Sequence, residues 1–417
     1  MRSLDVAVVG AGTAGVAAAL FLARAGHRVT VCERVPQPSA IGAGIVLQPS
    51  GMAVLADLGL LDGVIARGAR LDRLRCARVG GRPLFQLDYA SVAGGHFGLG
   101  LHRGVLFEVL HRALTAASVP LACGREIVAL HGAGDRVRLV DAHGGRSPAV
   151  DLVIVADGAR SRLRDETDPA LAERRVRDYR WGALWFVGRD PERRFTGELY
   201  QVVQGSSRML GLLPTGAGPH DPTPLTSLFW SIRRDRVDAW RSGGLARWRD
   251  ELLRCAPAAD ALVRQIEDPA QVTFAAYHDV ILRPWHTRNV VFLGDAAHAT
   301  SPQLGQGCNL ALADAQALAG ALAAAESLPA ALADYSRARR RQLAFYQHAT
   351  RWLTPFFQSD SRVAGQLRDL AMPLGMRLPW LRRQMVLTMC GVKRGLFSSL
   401  PLPSLPRVEA LPKERAA

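Results

Sequence analysis

The feature that most constrains this chain lies at its start, where the apolar run Asp5–Val9 enters the turn Gly10-Ala11-Gly12-Thr13-Ala14-Gly15. The run reads as a buried strand. Behind the turn, Ala14–Ala25 is apolar and long enough for a helix that Gly26 closes. Val29–Cys32 is a second strand, ending at Glu33. Strand, turn, helix and strand make a βαβ unit, which requires a parallel sheet. Its glycines permit a tight turn, a close approach to pyrophosphate and close helix–strand contact. The helix start, with Thr13 and Ala14, offers unpaired N–H groups to phosphate. Glu33, twenty-three residues after Gly10 and followed by Arg34, can accept hydrogen bonds from ribose hydroxyls. A carboxylate there disfavours a ribose 2′-phosphate, so the turn suits FAD or NAD rather than NADP.

Two later segments repeat the theme of a turn at a strand end, and a third opens a helix with an arginine. Asn289–Leu293 reads as a strand that enters Gly294-Asp295-Ala296-Ala297-His298. Pro302 and Gly305-Gln306-Gly307-Cys308-Asn309 follow, then a helix from about Leu310. Asp295 can bond a ribose or ribityl hydroxyl. Gly305 and Gly307 let backbone N–H groups approach a flavin ring at a helix start. Asp157-Gly158 closes the strand Leu152–Val155, with Arg160, Ser161 and Arg162 behind it, though Asp-Gly is also a common turn. Arg103 opens the helix Arg103–Ala117; alone it would be read as a surface arginine.

Between about Arg175 and Pro284 the pattern changes to alternating strands, among them Leu184–Val187, Glu198–Val203 and Ser227–Ile232, with helical stretches near Asp235–Arg254. That suggests an inserted, mostly antiparallel sheet. Long helices then run through about Tyr346, and the tail after Arg407 is polar and reads as frayed.

At 417 residues the chain is long for one domain. Its net charge of +15 comes almost wholly from scattered arginine with acids between, and no nucleic-acid motif accompanies it. Six dispersed cysteines show no ligand spacing, so no metal site is expected, and unpaired cysteine suits a reducing cytoplasm. The first strand leaves no room for a signal peptide ahead of it, and no apolar run is long enough to span a bilayer.

Together, GAGTAG with Glu33, Arg103 in HRGVLFEVL, Asp157-Gly158 in VIVADGARSRLR, and GDAAHATSPQLGQGCNLALADA resemble the class A FAD-dependent aromatic hydroxylases, over roughly Asp5 to Tyr346. The C-terminal stretch, with Leu353–Asp360, Leu378–Arg383 and Met389–Gly391, resembles the ends of ubiquinone-biosynthesis hydroxylases. Cys308 and Leu312 depart from the commonest residues of the last motif.

The resemblance implies an α/β fold: a Rossmann-type FAD-binding domain in two parts (1–174 and 285–349), an inserted, mostly antiparallel substrate domain (175–284), and a helical C-terminal region and tail (350–417). It implies that Gly10, Gly12 and Gly15 cradle the pyrophosphate, that Glu33 holds the adenosine ribose, and that Arg103 meets the phosphate and ribityl region. Asp157 would serve FAD and the passing nicotinamide, and Asp295 the ribityl chain. Gly305–Asn309 and the loop at Gly42–Gly44 would border the flavin ring. The activity implied is hydroxylation of a small aromatic or quinone-precursor substrate with molecular oxygen, through a flavin C4a-hydroperoxide. NADPH or NADH would be a transient donor, since one dinucleotide fingerprint is present. His96, His102, Tyr200 and Arg208 are candidates for the substrate pocket, and no base is assigned. His298, beside Asp295, reads as structural because no nucleophile accompanies it.

Two rivals share the fold. A flavin halogenase needs a lysine between the flavin and substrate sites, and the lysines here are Lys393 and Lys413. An FAD dehydrogenase or reductase would leave no oxygen in its product. A third reading, a peripheral membrane flavoprotein without turnover, rests on Trp352, Phe356, Phe357, Trp380, Leu381, Met385 and Phe397 among Arg351, Arg382, Arg383, Lys393 and Arg394. This pattern could sit on an anionic bilayer, but an ordinary helical cap packed on the body is the favoured reading.

Overall fold

A computed structural model describes residues 2–39, 42–92, 95–166 and 173–405. The tail beyond Arg407, Lys413 included, lies outside the described residues.

Five parallel strands form the first sheet, in the order Val290–Phe292, Leu152–Val155, Asp5–Val9, Arg28–Glu33, Leu121–Cys123. These strands are short runs of Val, Ile and Leu because helices cover both faces, so both faces must be apolar. Val8, Val31, Ile154 and Val291 have no exposed surface. The helix Thr13–Arg24 follows the first strand, and Gly26, at φ +84°, takes the left-handed position beyond its end. Arg103–Ala116 is helical. The expected helix from Leu310 begins earlier, at Gly307, and runs to Ala324. Gly305, at φ +60°, ends the single turn Pro302–Leu304, so the next helix starts as soon as the backbone recovers.

The second sheet has nine strands and is antiparallel except where Gly197–Gln204 runs parallel to Ala69–Arg78. Five of its strands come from 173–283. The other four, Gly44–Leu47, Ala69–Arg78, Pro83–Asp88 and Gly98–His102, lie upstream of residue 175. The sheet is therefore shared across the expected boundary at 174/175. Successive side chains point to opposite faces, and both faces are covered. Leu184, Leu212, Leu228 and Trp230 point to one face and pack with Trp240, Trp248, Leu252 and Leu262. Val203 and Met209 point to the other and meet Phe357, Val386, Met389 and Cys390 of the C-terminal helices.

The helix Leu328–Phe357 runs unbroken through the expected boundary at 349/350, followed by Arg362–Gly375 and Pro379–Met389. Gln306 Nε2 donates to Met389 O (2.8 Å), Gln342 Nε2 to Gly391 O (2.7 Å), and Lys393 N to Tyr346 Oη (3.2 Å). Gly391, at φ +82°, has no room for a Cβ, which would lie 1.9 Å from Ser50 Oγ. The C-terminal segment is thus fastened to the first sheet's layer. No helix among the described residues is long and apolar enough to cross a membrane.

Candidate active site

The groove forms at the carboxyl ends of the parallel strands, where an open α/β sheet accommodates ligands. Four chain segments arrive there: Gly10 after Val9, Glu33 itself, Asp157 after Val155, and Asp295 after Phe292.

The glycines of the first turn do different things. A Cβ on Gly10 would stand 2.4 Å from Ala156 O, and one on Gly15 would stand 2.0 Å from Gly10 O. Both are demanded by close packing of turn, strand and helix. Gly12 would meet nothing within 4 Å, and no side chain caps the helix that it begins. Its side of the turn is open, with free N–H groups behind it. The Glu33 carboxylate accepts from Ala11 N (2.9 Å) and Val35 N (2.9 Å), which clamps the turn to the second strand. His111 Nε2 lies 3.0 Å from Ala11 O and stacks on Phe107. Sequence reasoning had no signal for His111, because its partner is 100 residues away.

Arg103, Thr13, Cys308 and Asp295 converge. Burial pushes the Cys308 thiol up to about 12, against the Arg103 charge and a hydrogen bond with Thr13 that act downward, while the Asp295 charge adds to the rise. The Arg103 side chain lies along Gly42, whose Cβ would be 2.9 Å from Arg103 Cδ, and Arg103 N donates to Ala43 O (3.2 Å). Gly44 N donates to Ser227 Oγ (2.9 Å), and a Cβ there would be 2.4 Å from Thr215 Cγ2. This loop thereby joins the groove to the second sheet. Asp295, Pro302 and Gly307 are exposed on the same edge, with Gly305 half-buried between them.

Asn309 is fully buried. It accepts from Gln48 N (2.8 Å) and donates to Val46 O (3.0 Å) and Gly305 O (3.1 Å), so its amide holds the 46–48 strand end against the glycine loop. Asp157 differs: its Oδ1 is buried with no hydrogen-bond partner among the described residues. Burial holds its pKa above the ordinary carboxylate value, with Ser161, Arg164 and Arg34 acting the other way. A buried acceptor aimed into a groove whose glycines leave room for backbone approach fits a hydroxyl-rich, phosphate-bearing cofactor.

Beneath this edge lies a buried ion cluster that the sequence reading passed over. Asp314 Oδ2 accepts from Gly294 N (2.9 Å) and meets His298 Nε2 (2.5 Å); its Oδ1 accepts from Arg339 Nε (2.7 Å). All three side chains are almost wholly buried. His298 is thus a structural partner that helps fix the Gly294-Asp295 turn. The signal was present: Asp314 is an acid within an otherwise apolar helix.

The inner face of the second sheet continues from the groove. Ser227 and Thr215 face Gly44, and Phe229 is the next residue along on Ser227's side of the strand. The register sets Trp185, Phe229, Gly211 and Gln201 in one row. Trp185 and Phe229 meet as a tilted pair, with centroids 5.1 Å apart and planes at 37°, and both are half-buried. A Cβ on Gly211 would stand 2.0 Å from the Phe229 ring, so that glycine exists to admit the ring.

Two of the expected pocket residues are elsewhere. Tyr200 packs on the opposite face, with the Trp240–Trp248 cluster, and carries Arg75 over its ring at 4.1 Å. Arg208 is paired with Glu251 of the helix Leu245–Cys255, which packs on that same outer face. Strand alternation sends both away from the groove. His102 caps the Arg103 helix, its Nδ1 accepting from Gly104 N (3.1 Å). His96 sits in the turn ahead of Gly98–His102, and burial lowers its pKa.

With this geometry in hand, comparison with known proteins gives a consistent answer. The model of the FAD binding domain family matches residues 3–350. The chain is 30% identical over 343 residues to a probable 2-heptyl-3-hydroxy-4(1H)-quinolone synthase, AqdB2, of Rhodococcus erythropolis, covering 82% of this chain and 85% of that relative. It is 31% identical over 354 residues to 3-amino-4-hydroxybenzoate 2-monooxygenase of Streptomyces cremeus, covering 79% and 81%. In fold it is similar to Klebsiella pneumoniae HpxO complexed with FAD and uric acid (TM-score 0.76, 21% identity, 92% of this chain and 97% of that one). The chain belongs to the FAD binding domain family and is an FAD-dependent monooxygenase of the aromatic hydroxylase type.

Proposed function

We propose that this monooxygenase hydroxylates a flat, uncharged, electron-rich aromatic molecule held between the flavin and the inner face of the second sheet. One observation carries the reading: the Gly42–Gly44 loop joins the carboxyl edge to an inner face built of Trp185, Phe229, Thr215, Ser227 and Gln201, in which no side chain is charged. The half-buried Trp185 and Phe229 can stack on a ring, while the buried Thr215, Ser227 and Gln201 behind them bring no charge that would pair a substrate carboxylate. Relatives named for quinolone and aminohydroxybenzoate chemistry support an electron-rich ring as the acceptor.

Gly10, Gly12, Thr13, Ala14 and Gly15 would hold the FAD pyrophosphate at the open helix start, and Glu33, with Arg34 at its side, the adenosine ribose. Arg103 supplies positive charge to the phosphates. Asp157 Oδ1 and Asp295 are acceptors for cofactor hydroxyls, and Gly44, Pro302, Gly305, Gly307 and Cys308 border the ring, with Asn309 holding that border in place. Bound FAD would supply the redox chemistry, as acceptor of hydride from a transient NADPH or NADH and activator of molecular oxygen. The chain's part is to orient the ring, place Asp157 and Asp295 on hydroxyls, and keep water out with the C-terminal helices above Phe229. Free cysteines at all six positions support a reducing, cytoplasmic setting.

The test is stopped-flow reduction of the purified yellow protein by NADPH or NADH, with and without candidate phenols and quinolones, followed by mass analysis under labelled oxygen. We expect uncharged rings to accelerate reduction and one labelled oxygen atom to enter the product. An unlabelled oxidised product would identify a dehydrogenase. Preference for a benzoate over its uncharged amide would overturn the assignment of substrate class.

A further inference from the structure

Acids and arginines are interspersed through most of the chain, but not in the stretch ahead of its tail. Between residues 370 and 405 there are five cations, Arg377, Arg382, Arg383, Lys393 and Arg394, and no acid. Lys393 is buried, its Nζ donating to Gln384 Oε1 (2.6 Å) and Leu396 O (2.8 Å). The four arginines have no ion-pair partner among the described residues.

The same segment exposes large apolar side chains. Trp380 (50% exposed) and Phe397 (82%) pair with ring centroids 5.8 Å apart. Leu378 precedes Trp380, and Leu396 joins Trp352 (79%) in lining an open groove of about 480 Å³ rimmed by Arg341, His348 and Arg394. These residues are not fraying. They stand on a segment fastened by Gln306, Gln342 and Tyr346, and Ser361 caps the helix Arg362–Gly375 through Ala364 N.

We propose that this C-terminal face docks on an anionic phospholipid bilayer, with Trp380, Leu396 and Phe397 in the interface and the arginines on lipid phosphates. A fastened segment that exposes aromatic and aliphatic side chains and carries exposed, unpaired arginines matches the chemistry of a headgroup boundary, apolar below and negative above. A second copy of the chain is a poor occupant, because a two-fold contact would set arginines against arginines with no acid in the segment to pair them. Docking has a consequence for turnover. The helix Pro379–Met389 that carries Trp380 outward also places Met389 in the cluster that covers Phe229, so the bilayer would lie just beyond the cover of the aromatic wall.

The experiment is flotation of the full-length holoenzyme with vesicles of phosphatidylcholine alone or with 30 mol% phosphatidylglycerol (roughly a bacterial-type anionic surface). Light scattering of the same samples without lipid runs alongside. We expect flotation with the anionic vesicles only, and its loss in high salt. Arg377→Gln/Arg382→Gln/Arg383→Gln should weaken binding by about 100-fold. Trp380→Ser/Leu396→Ser/Phe397→Ser should weaken it by at least about tenfold. Both variants should keep the wild-type flavin content and rate of NAD(P)H oxidation in solution. No flotation with either vesicle overturns the proposal. So does a stable dimer that the apolar variant converts to monomer, which would assign the face to a second copy. Equal binding to neutral vesicles would also overturn it, by removing the role of the arginines.

Discussion

The carboxyl edge of the parallel sheet and the inner face of the nine-stranded sheet meet at the Gly42–Gly44 loop, yet they are built by opposite means. At the edge, backbone does the work. Gly10 and Gly15 are forced by contacts of 2.4 and 2.0 Å with backbone oxygens, and no other residue can stand there. On the inner face, side chains do the work, and glycine serves them: Gly211 is absent of a side chain so that the Phe229 ring has space. The edge tolerates almost no variation because its ligand is a fixed phosphate-and-sugar chain. The wall can change one side chain at a time, which is how one cofactor fold serves many aromatic substrates.

The sharpest way to break this contrast is Gly15→Ala. A Cβ placed 2.0 Å from Gly10 O cannot be relieved by a rotamer change, since the obstacle is backbone. The expected loss is more than about 4 kcal/mol, with no retained flavin. Thermal unfolding and the absorbance ratio of flavin to protein measure both. A yellow, stable Gly15→Ala protein would show that the turn has slack. Next is Asp314→Asn, which keeps a group near Gly294 N but leaves the buried Arg339 and His298 without their anion. We expect about 3 kcal/mol of destabilisation in urea unfolding, and weaker FAD retention through a displaced Asp295. On the wall, Phe229→Ala should leave flavin content unchanged and raise the substrate KM by about tenfold, the scale of one lost aromatic contact. Steady-state kinetics separates this from Gly15→Ala: one variant loses cofactor, the other only substrate.

That contrast also explains what could be read in the sequence. The edge is local. GAGTAG, Asp157-Gly158 and GDAAH each encode a turn within a few residues, and the structure delivers all of them to one groove. The wall is not local. Trp185, Phe229 and Gln201 become neighbours only through strand register, which no short segment specifies. For the same reason Tyr200 and Arg208 were misplaced: each lies on a strand of the correct sheet, but alternation puts them on the outer face. The sheet's strands from 44–102 were missed because they are broken by glycine turns and by the charged run Arg70-Leu71-Asp72-Arg73, which hides their alternation. Asp314 was visible and undervalued. A lone acid in an otherwise apolar helix needs a buried partner, and here His298 and Arg339 make it the anchor of the edge.

The smallest expected effect falls on Asp157, and it carries opposite signs for the two states of the edge. Burial of this carboxyl, with Oδ1 unpartnered, raises its pKa in the folded chain. A carboxyl whose folded pKa lies above its unfolded value binds protons more tightly when folded. It therefore costs nothing below the ordinary carboxylate range and destabilises the apoprotein as pH rises through the raised value. Asp157→Asn cannot ionise. The apoprotein of the variant should match wild type at about pH 3.5 and exceed it by up to about 1 kcal/mol at neutral pH. The same change removes an anionic acceptor from the groove, so FAD should dissociate several-fold faster from the variant. Urea titrations of both apoproteins across pH, beside FAD release followed by fluorescence, give the two signs separately. A variant apoprotein less stable than wild type at neutral pH would mean that Oδ1 already has a partner within the fold, and that the edge is not waiting for the cofactor's hydroxyls.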